Sequence, residues 1–294
     1  MHYWWQKIIF FKVWLVNLFW SSFGFDRRRL DFAPYHRSLI VNNPKQPKIS
    51  IIIVTYNNLV LTTNCLNSIF CFSHYPNLEI IVIDNHSTDG TKDYLKQLAK
   101  ENSQIHIIVN DQNRGFAAAN NQGIKIAQGE YIVFLNNDTI VTPDWLEYMI
   151  NHFRQDSTIG LLGPVTNNIG NSAKIKAKYR QLAELIDFSN KRHQQNISQK
   201  VELPMVALFC AMIKKTNLEK IGGLSEDYQL GYFEDNDLCQ QIKQLSLKIV
   251  CVQDVFIHHI GGASFSKLPF NERQHLWQKN LAIYEKKWGK WKKN

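Results

Sequence analysis

Residues 130–147 read "EYIVFLNNDTIVTPDWLE". Six mostly apolar residues end abruptly in Asn136-Asn137-Asp138, and an amphipathic stretch begins a few residues later. A short Ile/Val/Phe-rich run bounded by turn-forming residues is the pattern of a buried strand. Asn and Asp at its end are ordinary turn and cap residues. A lone carboxylate at a strand end is also a suitable place to hold a hard metal ion.

The same alternation extends on both sides. "KISIIIVTY" (48–56), "LEIIVID" (78–84) and "IHIIVN" (105–110) are near-continuous apolar runs, each followed by a helical stretch at about 59–71, 91–100 and 116–128. Uninterrupted Ile/Val strands alternating with helices predict a parallel sheet covered on both faces. Downstream, the pattern predicts a helix near 143–154, a strand at 203–213, a helix at 235–245 and the strand "LKIVCV". The polar, basic stretch 166–200 has weak periodicity and is expected to be a mobile insertion.

Length and composition fit one α/β domain, 48–265, with a flanking segment at each end. The chain has 294 residues, 45% apolar and 20% charged. Five cysteines with no Cys-x-x-Cys spacing argue against a disulfide framework and a structural zinc site. The net charge of +9 is concentrated at the ends. Residues 1–47 hold seven Lys and Arg against two Asp, and 279–294 hold six Lys against one Glu. A nucleic-acid enzyme would place its basic charge around a groove, so no nucleic-acid partner is expected.

Residues 8–25, "IIFFKVWLVNLFWSSFGF", are too interrupted by Lys12 and Asn17 for a clean span and suit an interfacial helix. Arg27-Arg28-Arg29 would keep the following domain on the cytoplasmic side. Over 266–294, Trp277, Leu281, Tyr284, Trp288 and Trp291 recur at spacings of four and three, with Lys279, Lys286 and Lys293 on another face. Such a basic amphipathic helix fits an anionic membrane surface, or else packs its stripe on the domain. The two ends together predict a peripheral protein on the inner face of the cell membrane.

In open α/β sheets, ligands bind beyond the carboxyl ends of the strands. Those ends carry Thr55-Tyr56-Asn57-Asn58, Asp84-Asn85, Asn110 and Asn136-Asn137-Asp138. Any one group is usually a cap; four together point to a polar site along one edge. "VTYNNL" lacks the glycine-rich turn of a dinucleotide fold, and no P-loop lysine motif is present.

"SIIIVTYNN", "EIIVIDNHSTDGT", "NRGFAAANNQGI" and "YIVFLNND", followed by "GYFEDNDLC" and "HIGGAS", resemble in order the motifs of family 2 inverting glycosyltransferases over about residues 48–288. Within that family the likeness leans toward bacterial enzymes of cell-surface polysaccharide, including rhamnosyltransferases. The resemblance implies a GT-A fold with a mixed, mostly parallel sheet. It also implies a UDP- or dTDP-sugar donor, Mg²⁺ or Mn²⁺, and a glycan or lipid-linked glycan acceptor. It places Thr55, Tyr56, Asn57 and Asp84 at the nucleotide, with Asp84 reading the base. Asn113, Arg114 and Gly115 meet the diphosphate at a helix start. Asn136 and Asn137 line the donor, and Asp138 and His259 hold the metal. Asp235 is the base that deprotonates the acceptor hydroxyl, Glu234 orients acceptor or base, and Asp237 is a helix-start charge. The alternatives are a sugar nucleotidyltransferase, whose glycine- and arginine-rich loop after the first strand is missing, and a non-catalytic binding module.

Overall fold

The computed structural model describes residues 30–35, 45–262 and 269–292. The apolar stretch 8–25 and the arginine triplet lie outside the described residues. The expected alternation is present: β1 (Ile49–Thr55), α1 (Leu59–Phe72), β2 (Leu78–Asp84), α2 (Thr91–Glu101), β3 (Ile105–Val109), α3 (Phe116–Ile126) and β4 (Tyr131–Asn136). After the short β5 (Thr139–Ile140) come α4 (Trp145–Gln155), β6 (Ile159–Val165), α5 (Leu182–Asn196), β7 (Lys200–Glu202), β8 (Cys210–Lys214) and α6 (Lys215–Ile221). α7 (Glu234–Gln244), β9 (Lys248–Phe256), β10 (His258–His259) and α8 (Phe270–Trp288) complete the order.

Eight strands form one mixed sheet in the order β3-β2-β1-β4-β8-β6-β9-β7. β3, β2, β1 and β4 run parallel, whereas β8 enters antiparallel between β4 and β6. Both faces are covered, which is why the strands read as continuous apolar runs. Ile51, Ile53, Ile80, Val82 and Val133 face one core with Leu66, Trp145 and Met149. Ile52, Ile81, Ile83, Ile132 and Phe134 face the other, with Ala119 of α3 and Leu238 of α7. Each fully buried Ile or Leu contributes about 1.5–3 kcal/mol.

Two expectations change. The 166–200 stretch carries the fifteen-residue helix α5, whose Leu182, Leu185, Ile186 and Ser189 are buried and which packs on β9. The strand expected over 203–213 is realised only at its end, as β8, while the short β7 stops at Glu202, before Pro204. Phe32 also docks beside Phe72 and Tyr35 on the end of α1.

Asp89 joins the first two helices. Its Oδ2 accepts from the Leu59 backbone N–H at 2.9 Å, capping α1, and its Oδ1 accepts from Thr91 Oγ1 at 2.6 Å at the start of α2. Two helix N-termini thus share one carboxylate where Asn58 and Gly90 offer no side-chain cap.

Candidate active site

Strand register levels the polar ends. Thr55 pairs with Asp84 and Val54 with Asn136, while the Asn110 N–H donates to the Asp84 carbonyl at 2.9 Å. Asp84 and Asn136 therefore stand on one edge with β1 between them, about 10 Å apart by strand spacing. The chain then turns at Asn57 and Asn58 (φ 57° and 65°) and leaves Tyr56 exposed. Asn57 Oδ1 accepts from the Thr88 N–H at 2.8 Å, tying this turn to the loop after Asp84. Asp84 is fully buried, and its carboxylate oxygens accept long hydrogen bonds from the Ser87 N–H at 3.3 and 3.4 Å.

Several expected donor contacts are committed elsewhere. Asn137 Nδ2 donates to Thr55 Oγ1 (3.1 Å) and Thr62 Oγ1 (3.0 Å), so Thr55 and Asn137 brace the strand ends against α1 from inside. The backbone N–H groups of Arg114 and Gly115 donate to Asn85 Oδ1 (3.0 Å) and Asn113 Oδ1 (2.9 Å). Those two amides are thus already satisfied within the protein. The Arg114 guanidinium pairs with Asp111 at 3.0 Å on the surface, a contact that water readily replaces. Asn85 and Asn110, members of the polar edge, are the centre of this amide network, with Asn110 Nδ2 donating to Asn85 Oδ1 (3.0 Å) and Gln122 Oε1 (2.9 Å).

Asp138 and His259 come together. β10 pairs antiparallel with β5, and the Ile260 N–H donates to the Asp138 carbonyl at 3.0 Å. Asp138 Oδ1 then lies 3.3 Å from His259 Nε2, with both residues buried. The imidazole is clamped: it stacks on Phe209 with centroids 4.8 Å apart, and Nδ1–H donates to the Asn168 carbonyl at 2.8 Å. With Nδ1–H committed to that carbonyl, Nε2 faces the Asp138 carboxylate, as the N–H donor of an imidazolium or, in the neutral ring, as a nitrogen able to take a cation. Burial alone would lower the His259 pKa, but the Asp138 carboxylate and Asn168 carbonyl outweigh it and raise it. A hard oxygen and an imidazole nitrogen suit Mn²⁺ or Mg²⁺. No cluster of three or more such side chains occurs among the described residues, so diphosphate oxygens and water would fill most of the coordination sphere. The neighbouring His258 is a core residue, its Nδ1 2.6 Å from the Tyr179 hydroxyl.

α7 opens on Glu234 and Asp235. Asp235 Oδ1 accepts from the Asn236 N–H (2.8 Å) and Nδ2 (3.0 Å). Glu234 Oε2 is buried with no hydrogen-bond partner. Burial raises both pKa values, Glu234 to about 8 with the Asp235 charge beside it, while the Asn236 donors offset part of the rise at Asp235. One negative charge on this pair therefore rests on Asp235. Asp237, expected as a helix-start charge, is instead fully buried. Its Oδ1 accepts from Tyr228 Oη (2.9 Å), Trp288 Nε1 (2.6 Å) and Lys287 Nζ (2.8 Å).

Those last two partners sit on α8. Its stripe packs on the domain: Tyr284 and Trp291 lie 5.5 and 5.7 Å from the Phe233 ring, and Leu281 and Trp288 join the same cluster. Most of the aromatic stripe expected to meet an anionic membrane is thus packed on the domain, while Trp277, Lys279, Lys286 and Lys290 remain exposed.

Residues 50–222 match the family model described as glycosyl transferase family 2. The chain belongs to glycosyl transferase family 2. It is 35% identical over 112 residues to a putative teichuronic acid biosynthesis glycosyltransferase, TuaG, of Bacillus subtilis, covering 38% of this chain and 44% of that protein. It is 27% identical over 219 residues to a poly-beta-1,6-N-acetyl-D-glucosamine synthase of Staphylococcus epidermidis, covering 73% and 51%. The chain thus spans about half the length of these relatives. Among solved structures, the mannosyltransferase PcManGT of Pyrobaculum calidifontis, in complex with GDP-Man and Mn²⁺, superposes with a TM-score of 0.59 at 19% identity, over 98% of this chain and 75% of that one. GalNAc-T7 with UDP, GalNAc and Mn²⁺ gives 0.58 at 17%, over 74% and 44%. These likenesses show the GT-A fold. The family match contains Asp84 and Asp138 but ends before Glu234, Asp235 and His259, whose roles rest on geometry and motif resemblance.

Proposed function

We propose that this chain is an inverting, metal-assisted glycosyltransferase. It moves a sugar from a UDP- or dTDP-linked donor to a hydroxyl of a glycan or lipid-linked glycan in cell-surface polysaccharide synthesis. The observation that carries the reading is the Asp138–His259 pair, an oxygen and a nitrogen ligand type brought together at the edge where Asp84 also stands.

Tyr56, Asn57 and Asp84 form the nucleotide end, with Asp84 accepting from the N3–H of a pyrimidine. Asn136 lines the donor, and Arg114 swings from Asp111 to the diphosphate. Asp138 and His259 hold Mg²⁺ or Mn²⁺, which when bound neutralises charge developing on the departing diphosphate. Asp235 takes the acceptor proton as the hydroxyl attacks the anomeric carbon. Glu234, which keeps its proton at neutral pH, orients the acceptor by donating a hydrogen bond. Attachment to the inner membrane face is part of this reading. With most of the α8 stripe packed on the domain, that helix meets anionic lipid through its exposed lysines.

The test is a panel of nucleotide sugars with Mn²⁺ or Mg²⁺, scored by released nucleoside diphosphate. Asp235→Asn should lower turnover by about 10²–10⁴-fold and leave donor affinity unchanged. Wild-type turnover in that variant would remove the base assignment, and no release from any donor by the wild type would remove the function.

A further inference from the structure

Residues 229–233 lead into α7 on a backbone that side chains disfavour. φ is 51° at Gln229, 73° at Tyr232 and 74° at Phe233, with Gly231 at 147°. Conformations of this kind persist only where their surroundings fix them. On one side the Gln229 carbonyl presses on Gly115, where a Cβ would stand 2.1 Å from the oxygen. On the other side is Asn280 of α8, fully buried on the face that carries Leu276 and Tyr284. Its Nδ2 donates to the carbonyls of Tyr228 (2.7 Å) and Gly231 (2.6 Å), with Tyr232 O at 3.4 Å.

Burying an amide among apolar neighbours is unfavourable unless its hydrogen bonds are made. Here the oxygen makes none, and only the donors are used. Rotating the amide by half a turn would set its oxygen against the same carbonyls, so one orientation is fixed. The three carbonyls belong to the six residues immediately before Glu234. Asn280 lies far outside the stretch that matches the family.

We propose that Asn280 is a positioning residue for sugar transfer. Through the carbonyls of 228–232 it holds the strained entry to α7, and so fixes where the Glu234 and Asp235 carboxyl groups meet the acceptor. The proposal rests on the transferase reading above. A displacement of about 1 Å at a reacting group can lower rate by about 10²-fold without touching donor affinity.

The test compares the full-length wild type with Asn280→Ala by hydrogen exchange and by steady-state kinetics. Exchange in peptides covering 228–235 should rise at least about 10-fold while β1–β4 peptides keep their protection. Turnover should fall about 10–100-fold with donor KM unchanged, a split that general destabilisation does not produce. Unchanged exchange at 228–235 overturns the proposal. So does unchanged turnover, or a loss of turnover no larger than the unfolded fraction. Should Asn280→Ala not fold, Gly231→Ala strains the same loop from its own backbone, and the same outcomes decide. If the wild type turns over no donor, the transferase reading fails and exchange alone judges the clamp, with local loosening for it and wild-type protection against it.

Discussion

Asp237 distinguishes two accounts of the acidic run at 234–237, and their magnitudes differ. A helix-start charge at the surface is worth about 0.3–1 kcal/mol. A buried carboxylate that anchors another element is worth several times that. Asp237 has no exposed surface, and its oxygens accept from Tyr228, Trp288, Lys287 and Gln241. Asp237→Ala leaves the Tyr228 hydroxyl buried and unpaired, about 1–3 kcal/mol by itself. Loss of the bonds to Trp288 and Lys287 brings the total to about 3–5 kcal/mol, the range for removing one member of a buried charge network. Lys287 is the contrasting case. Lys287→Met leaves Asp237 its bonds from Tyr228, Trp288 and Gln241, so it should cost only about 1 kcal/mol. The predicted order is Asp237→Ala, then Asp237→Asn at about 1–3 kcal/mol, then Lys287→Met. Urea unfolding followed by tryptophan fluorescence reads all three, since Trp277, Trp288 and Trp291 report on α8. A loss below 1 kcal/mol for Asp237→Ala, equal to that of Lys287→Met, would refute the anchor.

Two further predictions concern the donor edge and the far end of the sheet. Gly115→Ala should lower donor affinity and loosen the loop at Gln229, because φ is 81° and the new Cβ meets a backbone carbonyl; a donor titration matching the wild type would contradict this. Glu79 is buried where β2 begins. Burial pushes its carboxyl up, but Lys48, the Ser50 hydroxyl and the Gln128 N–H together hold it below its ordinary value of 4.5. A depressed folded pKa means stabilisation is complete above the unfolded value and is lost as pH falls through the folded one. Glu79→Gln should therefore be less stable than wild type at pH 7 by about 1–3 kcal/mol, with the gap narrowing below about pH 4.5. A gap that stays constant in urea melts down to pH 3 would show that the charge contributes nothing.

The sheet was legible because buried parallel strands leave a signal that few other elements leave, uninterrupted Ile/Val runs bounded by polar residues. The polar edge was legible for the same reason: in-register parallel strands must end together, so four polar ends form one rim. Which rim residues face outward was not legible. Thr55 and Asn137 differ from Tyr56 and Asn136 only by one position, and a one-residue change of side decides between an internal brace and an open face. The acids of α7 pose the same problem at helical period. Asp237 shares a buried face with Leu238 and Gln241, while Asp235 points elsewhere, and only the docked position of α8 separates them. In 166–200 the signal existed in Leu182, Leu185, Ile186 and Ser189, at i, i+3, i+4 and i+7, but polar flanks hid it.

An amphipathic helix has the same sequence whether its stripe meets lipid or protein, so α8 could not be assigned from periodicity alone. Its polar residues decide the matter. A stripe built for lipid has no use for a buried amide, whereas Asn280 sits within this one and donates to loop carbonyls. Gln240 Nε2 likewise donates to the Tyr284 hydroxyl at 2.9 Å, and Trp288 delivers its indole N–H to Asp237. Lifting α8 away would expose apolar rings and also strand a carboxylate, a phenol and the carbonyls before Glu234. Apolar surface alone could be re-covered by a bilayer, but those polar groups could not be re-satisfied there. The polar side chains of α8 thus tie it to the domain as firmly as its rings do.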